Sequence, residues 1–418
     1  MSTPHHRTSL RYRALLFLLA PAVLGYITYR SIKDGGWRYF LQRLGFNLPH
    51  VPTPSILVHC ASVGEFSAAK PLLLELCNQY PGHHLVITTN TPTAAVLASE
   101  QLHEKIMHVY MPVDYSFAVN RLLSRVHPGS MLILETEIWP TLFYRAAKNN
   151  IATAIINGRL SSKTLHVNRF MKSEYQSSLR NLEMILARSD EDRLKFLDLG
   201  AESHATHTVG NLKYAAAQIK MDLPATGIQR PYLLAASTHE DEELQLVQHL
   251  PLLKQKNYLL VIAPRYPDRG SPLHHQLQQK KLTVALRSRQ DSVTEHTDIY
   301  IVDTLGELDR YLNEAELVFV GGSLITRGGH NILEPAGLGK CTIVGPHMDN
   351  FSLETRELLK AGGIIQVTGN RDLGDQLARM IDDSHMRVQY GISAQQFIKQ
   401  KASVLNSYMK CLQPMLQH

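Results

Sequence analysis

Six segments of the sequence carry side chains that could do acid–base or anion-binding chemistry. Cys60–Glu65 reads C-A-S-V-G-E directly after an apolar run. Gly64 permits a tight turn there, and Glu65 falls at the start of the helix expected from Phe66 onward. The dipole at a helix start favours an ionised carboxylate, and a carboxylate at a strand end can serve as a general base; an ordinary helix-start glutamate has the same pattern. Leu134–Pro140 reads L-E-T-E-I-W-P. Glu135 and Glu137, at i and i+2, are expected on one strand face. Such a pair can hold a metal, orient a ligand or cap the helix expected near Pro140. Gly321–Lys340 reads GGSLITRGGHNILEPAGLGK, paired glycines after a strand and a helix expected from about Asn331. Backbone N–H groups in such a loop can approach a phosphate, and Glu334, one turn in, could accept hydrogen bonds from a ribose. A glycine-rich packing turn would read the same. Pro264–Arg269 (P-R-Y-P-D-R) puts Arg265 at a strand end, where it could clamp an anion. Asp303–Leu308 (D-T-L-G-E-L) places Glu307 much as Glu65 is placed, and in G-N-L-K Lys213 could offer a cation to developing charge.

The elements that must position these residues follow from periodicity. Strand-like runs are Ile56–Cys60, Leu85–Thr89, Ile106–Tyr110, Met131–Leu134, Ala152–Ile156 and Ala205–Val209. A second series follows: Tyr232–Ala236, Tyr258–Ile262, Thr283–Leu286, Ile299–Val302, Leu317–Val320 and Thr342–Val344. Stretches with apolar residues at helical spacing lie between them, such as Phe66–Gln79 and Ala118–Val126. Alternating β and α predicts parallel sheets covered by helices. Two series predict two doubly wound, Rossmann-like domains, 46–212 and 232–418. They are joined by 213–231, where periodicity is lost and Pro224, Gly227 and Pro231 occur. Ligands in such folds sit beyond the carboxyl ends of the strands, so a cleft faced by both domains is the expected site, and the last helix could pack back on the N-terminal domain.

The chain has 418 residues, 44% of them hydrophobic and 19% charged, which excludes disordered and fibrous classes. Four cysteines without CxxC spacing argue against a disulfide framework or a zinc ribbon. The net charge is +6, and its location matters more than its size. Residues 1–45 hold Arg7, Arg11, Arg13, Arg30, Lys33, Arg38 and Arg43 against the single acid Asp34, and the remainder is balanced. A duplex-binding protein would carry a basic face on its body, so nucleic acid is not an expected partner. Within 1–45 the run ALLFLLAPAVLGYIT (14–28) is shorter than the roughly 20 residues needed to cross a bilayer. No small-residue cleavage site follows Thr28, which disfavours a signal peptide. A buried core helix is one reading. The favoured one is an anchor in or against a membrane, its arginines meeting anionic headgroups, with Trp37, Tyr39 and Phe40 at the interface. Other patterns fail. His103, Glu104 and His108 form HExxxH, one residue too long for a helical zinc pair. Asp190–Glu191–Asp192 fits an acidic helix start better than a metal site.

Taken together the motifs resemble the 3-deoxy-D-manno-octulosonic acid (Kdo) transferases of lipopolysaccharide biosynthesis. In order they are SVGE (62–65), TPT (91–93), ETEIWP (135–140), NGRLS (157–161), GNLK (210–213), STHEDEE (237–243), PRYPDR (264–269), DTLGEL (303–308), GGSL…GGHNILEP (321–335) and GPHMDNF (345–351). The resemblance implies a GT-B glycosyltransferase, two Rossmann-like domains facing a cleft. It implies transfer of Kdo from CMP-Kdo to the lipid A precursor (lipid IVA), on the cytoplasmic side of a bacterial inner membrane, without a metal or other cofactor. By matched position, Glu65 is the family's general base, and Glu135 and Lys213 stabilise the transition state. Pro264 and Arg265, then Leu305, Gly306 and Glu307, then Asn331, Ile332, Leu333 and Glu334 match the CMP-binding segments. Departures are Tyr266 where His is usual, Leu305 for Met, Gly158 for Ala, and Met348-Asp349 for Thr-Phe. Of these, Tyr266 bears on any proton-transfer role that the resemblance would assign to that position.

Overall fold

The computed structural model describes residues 6–102, 106–160, 162–218 and 224–417. His103 and Glu104 of the HExxxH pattern, Ser161 of NGRLS and 219–223 of the expected linker lie outside the described residues. The chain forms two units. One is Met1–Ala216 with Ser403–His418, and the other is Ala217–Ala402.

The first unit is built on strands β1 Ser55–His59, β2 His84–Thr89, β3 Ile106–Tyr110, β4 Pro128–Leu134, β5 Ala152–Gly158, β6 Met184–Ala187 and β7 Thr206–Thr208. They pair in parallel in the order β3-β2-β1-β4-β5-β6-β7. The central strands read as continuous apolar runs because helices cover both faces of the sheet; every residue of β1 is buried. β6 is not among the strand-like runs, although its four residues are as apolar as those of strands that are. The strand order reverses at β1, which lies between β2 and β4. A crevice therefore opens at the carboxyl ends of β1 and β4.

Three helices matter most for that crevice: α1 Leu10–Arg30, α2 Gly36–Arg43 and α3 Val63–Gln79. α3 follows β1 and buries Phe66, Ala69, Leu72, Leu73 and Leu76 on one sheet face. The chain's last helix, Val404–Leu416, packs on that same face through Tyr408, Leu412 and Met415. The Tyr408 hydroxyl is a junction. It accepts from the Asn157 N–H at 3.1 Å and donates to the Gly210 carbonyl at 2.9 Å. Asn157, at the end of β5, in turn accepts from the Leu212 N–H at 3.0 Å through its side chain. The G-N-L-K segment is thus held from both sides, and the short helix Lys213–Ala216 packs against α3.

α1 does not stand free of the first unit. The His6 backbone and the Asn181 side chain exchange two hydrogen bonds of 2.8 Å. The Tyr12 hydroxyl donates to Asp114 at 2.9 Å, and that of Tyr115 donates to the Leu16 carbonyl at 2.6 Å. Ile27 and Tyr39 sit in a small core with Ala95, Tyr110, Val113 and Ala118. The opposite side of α1 exposes Leu10, Phe17, Leu18 and Leu24. Helical geometry runs on through Ser31–Gly35 into α2. The helix from Leu10 to Arg43 has 34 residues, long and apolar enough by length and composition to cross a membrane. It outruns the apolar stretch 14–28 because polar residues after Thr28 continue the helix.

The second unit has strands β8 Tyr232–Thr238, β9 Leu259–Pro264, β10 Val284–Leu286, β11 Ile299–Ile301, β12 Leu317–Val320, β13 Cys341–Val344 and β14 Ile364–Gln366. They are parallel in the order β10-β11-β9-β8-β12-β13-β14. β14, three residues long, is not among the strand-like runs either. Order reverses at β8, between β9 and β12, so the crevice of this sheet lies at the carboxyl ends of β8 and β12.

Replacing Tyr408 by Phe leaves the buried Asn157 N–H and Gly210 carbonyl without their partner. The expected cost is about 1–3 kcal/mol, read as a lower urea midpoint for the transition that reports the first unit. An unchanged midpoint would show that the hydroxyl is not a structural junction.

Candidate active site

Glu65, Glu135 and Glu137 come together at the β1/β4 crevice. Ser62 caps α3, its hydroxyl accepting from the Glu65 N–H at 3.4 Å. The Glu65 side chain turns back so that its Oε2 accepts from the Ala61 N–H at 2.7 Å. Gly64 is an ordinary helical residue of the first turn, not the turn maker expected from sequence. It is exposed, and a Cβ there would meet only the Ser62 hydroxyl, at 4.0 Å. Its missing side chain leaves the approach to Glu65 open.

The carboxyl of half-buried Glu65 is pushed up to about 8, first by burial and then by the neighbouring Glu135 charge, with a smaller push from Glu137; the Ala61 N–H opposes the rise. The helix start was expected to keep this group ionised, but burial and the two neighbouring acids outweigh the dipole. Glu135 is buried and left-handed, with φ of 56°. β4 has already ended at Leu134, so the strand alternation that would align Glu135 with Glu137 is broken. Arg159 Nε stands 2.7 Å from Glu135 Oε2. Glu137 accepts from the Trp139 indole N–H at 2.6 Å, and burial raises its carboxyl as well. It does not cap the helix Pro140–Lys148; Asp114 does, accepting from the Thr141 and Leu142 N–H groups at 2.9 Å each. Lys213 opens the short helix that packs on α3.

In the second unit the glycine-rich segment departs from expectation. The N–H groups of Gly322, Ser323 and Leu324 point to one buried carboxylate, Glu242, at 2.6, 2.9 and 2.9 Å. They are therefore taken, and the first glycine pair offers no phosphate cradle. Gly321 is needed for another reason: a Cβ there would lie 2.6 Å from the Ser237 carbonyl oxygen, where β12 ends against β8. The expected helix near Asn331 starts at Leu333 and is five residues long. The Asn331 side chain accepts from the Leu333 N–H at 3.0 Å. Ile332 and Leu333 have core side chains, so only their backbones are available to a ligand. The Glu334 carboxyl is pushed up to about 7 by burial, with Asp309 adding and Asn331 opposing.

Pro264 is buried at the end of β9, and Arg265 beside it is exposed. Leu305 is 82% exposed, and Gly306 has a left-handed φ of 79° with open space around it. Glu307 is unlike Glu65. Arg287 grips its carboxylate at 2.8 and 3.0 Å. That pairing, aided by the Thr304 hydroxyl and Arg310, pulls it down to about 2. Two groups that sequence reasoning left unassigned stand at the β8/β12 crevice. His239, after β8, and His330, after the second glycine pair, stack at 5.2 Å with their Nε2 atoms 2.9 Å apart. Burial lowers both, to about 4 for His330, and the Arg265 charge presses each further down. Neutral imidazoles beside Arg265 and Arg327 make a donor-rich, anion-attracting corner. Both lay within motifs quoted from the sequence, but nothing local signals that they meet.

Among the described residues no group of three or more His, Cys, Asp or Glu is arranged to hold a metal ion. His108 lies on strand β3, its Nε2 2.9 Å from the Thr89 hydroxyl. Asp190–Glu191–Asp192 opens the helix Asp190–Asp198 behind the Ser189 cap.

Comparison with known proteins agrees with the motifs. The family model described as 3-Deoxy-D-manno-octulosonic-acid transferase (kdotransferase) matches residues 38–216. The 3-deoxy-D-manno-octulosonic acid transferase of Haemophilus influenzae is 31% identical, over 97% of this chain and 98% of that one. A solved C-terminal CMP-Kdo binding domain from Acinetobacter baumannii is 29% identical, covering 41% of this chain and 90% of its own, with a TM-score of 0.39. UDP-GlcNAc 2-epimerase from Neisseria meningitidis shares the fold: TM-score 0.59, 13% identity, 87% of this chain and all of the other.

The raised Glu65 carboxyl has a stability consequence. An unfolded glutamate titrates near about 4.3, whereas this one holds its proton to about 8. Between those values only the folded state keeps the proton, so wild-type stability falls as pH rises through the window. Glu65→Gln removes that slope. Urea midpoints of wild type and variant should diverge from about pH 4.3 to about 8 in the variant's favour. Parallel curves would mean that Glu65 titrates normally.

Proposed function

The chain belongs to the 3-deoxy-D-manno-octulosonic acid (Kdo) transferase family, glycosyltransferases of lipopolysaccharide biosynthesis, and from that premise we propose that it moves Kdo from CMP-Kdo to the lipid A precursor (lipid IVA) with Glu65 as general base. The observation that carries this reading is the Glu65 carboxyl at the β1/β4 crevice, raised to about 8 beside two further acids. A base of that strength accepts a proton from an attacking hydroxyl better than an ordinary carboxylate does.

In the proposed step the acceptor oxygen bonds to the anomeric carbon of Kdo while its proton passes to Glu65. The bond from that carbon to the CMP phosphate oxygen breaks, and CMP leaves with the electron pair. Glu135 and Lys213 stabilise the charge that develops. Their support is the family positions they match, and for Lys213 also the fixed G-N-L-K segment.

CMP is held by the second unit. Arg265 meets its phosphate, with Arg327 and the one N–H that the neutral His239–His330 pair does not spend internally as further donors. The contacts at Pro264, Leu305, Gly306, Ile332 and Leu333 run through backbone, and Glu334 and Asn331 serve the ribose. Glu307 acts through its ion pair with Arg287, which fixes the loop that carries Leu305 and Gly306. Guanidinium groups supply the positive charge at the phosphate, so transfer needs no metal. The enzyme works at the cytoplasmic face of the inner membrane. Support comes from the exposed apolar side of α1 and the exposed Arg7, Arg11, Arg13 and Lys33 around it, a pairing suited to an anionic lipid surface.

Mass spectrometry of the product made from CMP-Kdo and a tetraacyl lipid A precursor tests the reading. Glu65→Gln should lose about 10²–10⁴ in turnover and keep its affinity for CMP. Wild-type kcat/KM should rise with pH toward about 8, and a chelator should leave it unchanged. Near-normal turnover by Glu65→Gln would remove Glu65 as the base.

A further inference from the structure

A cavity of about 440 Å³ lies within the first unit, between α1 and the body of that unit. Leu16, Leu19, Val23 and Ile27 line it from α1, and Ile138 and Trp139 from the segment after β4. The α1 residues recur at three- and four-residue intervals, so they form one helical stripe. Phe17, Leu18 and Leu24 are exposed on the other side, and Leu19, 45% exposed, stands at the open edge of the cavity. α1 therefore has two apolar faces, one outward and one toward the cavity.

The cavity is not a remote void. Trp139, in its wall, donates to Glu137 at 2.6 Å, and the Glu137 charge acts on Glu65. Arg43 also lines it and donates to the Asn90 side chain at 2.8 Å. The Asn90 N–H reaches the Ala61 carbonyl at 3.3 Å, and the Ala61 N–H binds Glu65. Two short chains of contacts thus join the cavity to the candidate base. The Arg43 Nε is buried with no hydrogen-bond partner among the described residues, at a wall that is otherwise mostly apolar. That combination suits a long hydrocarbon ending in carbonyl or hydroxyl acceptors. Its volume falls in the range of small-ligand pockets, about 300–1,000 Å³.

We propose that this cavity holds one acyl chain of the acylated sugar acceptor, so that α1 forms a wall of the acceptor site and sets the sugar hydroxyl over Glu65. The inference rests on the acceptor being an acylated sugar lipid, as proposed above. The chain's first polar groups lie at Arg43, and its methylenes run along the α1 stripe. α1 then selects the substrate as well as holding the protein to a surface.

The test uses the full chain, CMP-Kdo and acceptors that differ only in acyl length. Wild-type kcat/KM should rise about fourfold for each added CH₂ until the cavity is full, then level. Leu19→Trp and Ala22→Trp fill the space from α1. They should raise KM for the long-chain acceptor at least tenfold and flatten the length dependence, while CMP-Kdo affinity and binding to anionic vesicles stay as in wild type. A photoreactive group at the end of the acceptor's chain should label Leu16 or Val23, whereas the same group on a bilayer phospholipid should label Phe17 or Leu18. The inference is overturned if wild type is active and the filled variants keep its KM and length dependence. It is also overturned if they lose vesicle binding in step with activity, or if the phospholipid labels the cavity side as strongly as the acceptor does. A wild type that transfers Kdo to no acylated acceptor would instead overturn the proposed function.

Discussion

Carboxylates held close together in a half-buried crevice cannot all be ionised at once. The first unit is arranged around that constraint. Glu65 bears the consequence, its proton affinity raised by burial and then by the neighbouring acids; Glu137 is raised by burial, and Glu135, the most buried of the three, has Arg159 beside it. The sheet order fixes which acids meet. Because β1 and β4 are neighbours where the order reverses, the residues that follow them are adjacent in space although some seventy positions separate Glu65 from Glu135. The left-handed turn at Glu135 then brings its carboxylate inward instead of continuing the strand.

The second unit solves the opposite problem. A crevice intended for an anion needs N–H groups or cations, yet its most obvious N–H groups are spent on an internal carboxylate, Glu242. A buried carboxylate with several charge-assisted backbone bonds is strongly held. It ties the end of β12 to the helix after β8, Glu240–Val247, and makes the loop rigid. What remains for a ligand is Arg265, Arg327 and two imidazoles that burial keeps neutral. One N–H is spent in the Nε2–Nε2 bond between the rings, so the neutral pair leaves a ligand at most one N–H, and the attraction for negative charge comes chiefly from the two guanidinium groups.

Much of this was legible in the sequence. Parallel strands buried on both faces are apolar throughout, so twelve of the fourteen strands among the described residues could be placed from runs alone; β6 and β14 were missed, though strands as short as they are were found. Glu65 was legible because it follows an apolar strand run directly and precedes a helical pattern that begins at Phe66. Its raised proton affinity was not, since that depends on Glu135 and Glu137 arriving from another strand. The paired glycines suggested a phosphate loop, because local pattern cannot reveal that Glu242, some eighty residues earlier, consumes the N–H groups. The same limit hid the His239–His330 contact and the salt bridge that makes Glu307 structural. Local spacing reports secondary structure and caps; which side chains meet across a sheet end is decided by topology.

The arm shows how one element can be under two demands. A helix apolar on every side is ordinarily buried in protein or lipid, and α1 is only partly covered by protein. Tyr12, Leu16 and Ile27 fasten it along the first unit, so it is not a tether that leaves the domain free to drift. Its outer face still leaves large side chains such as Phe17, 79% exposed, without protein cover. A lipid surface removes that apolar area from water, and the flanking cations add attraction to anionic headgroups. Since α1 is fastened to the same unit that carries Glu65, whatever orients α1 at a surface also orients the crevice. For the lipid-borne hydroxyl and the base proposed above, such coupling would remove much of the search that two independently mobile partners face.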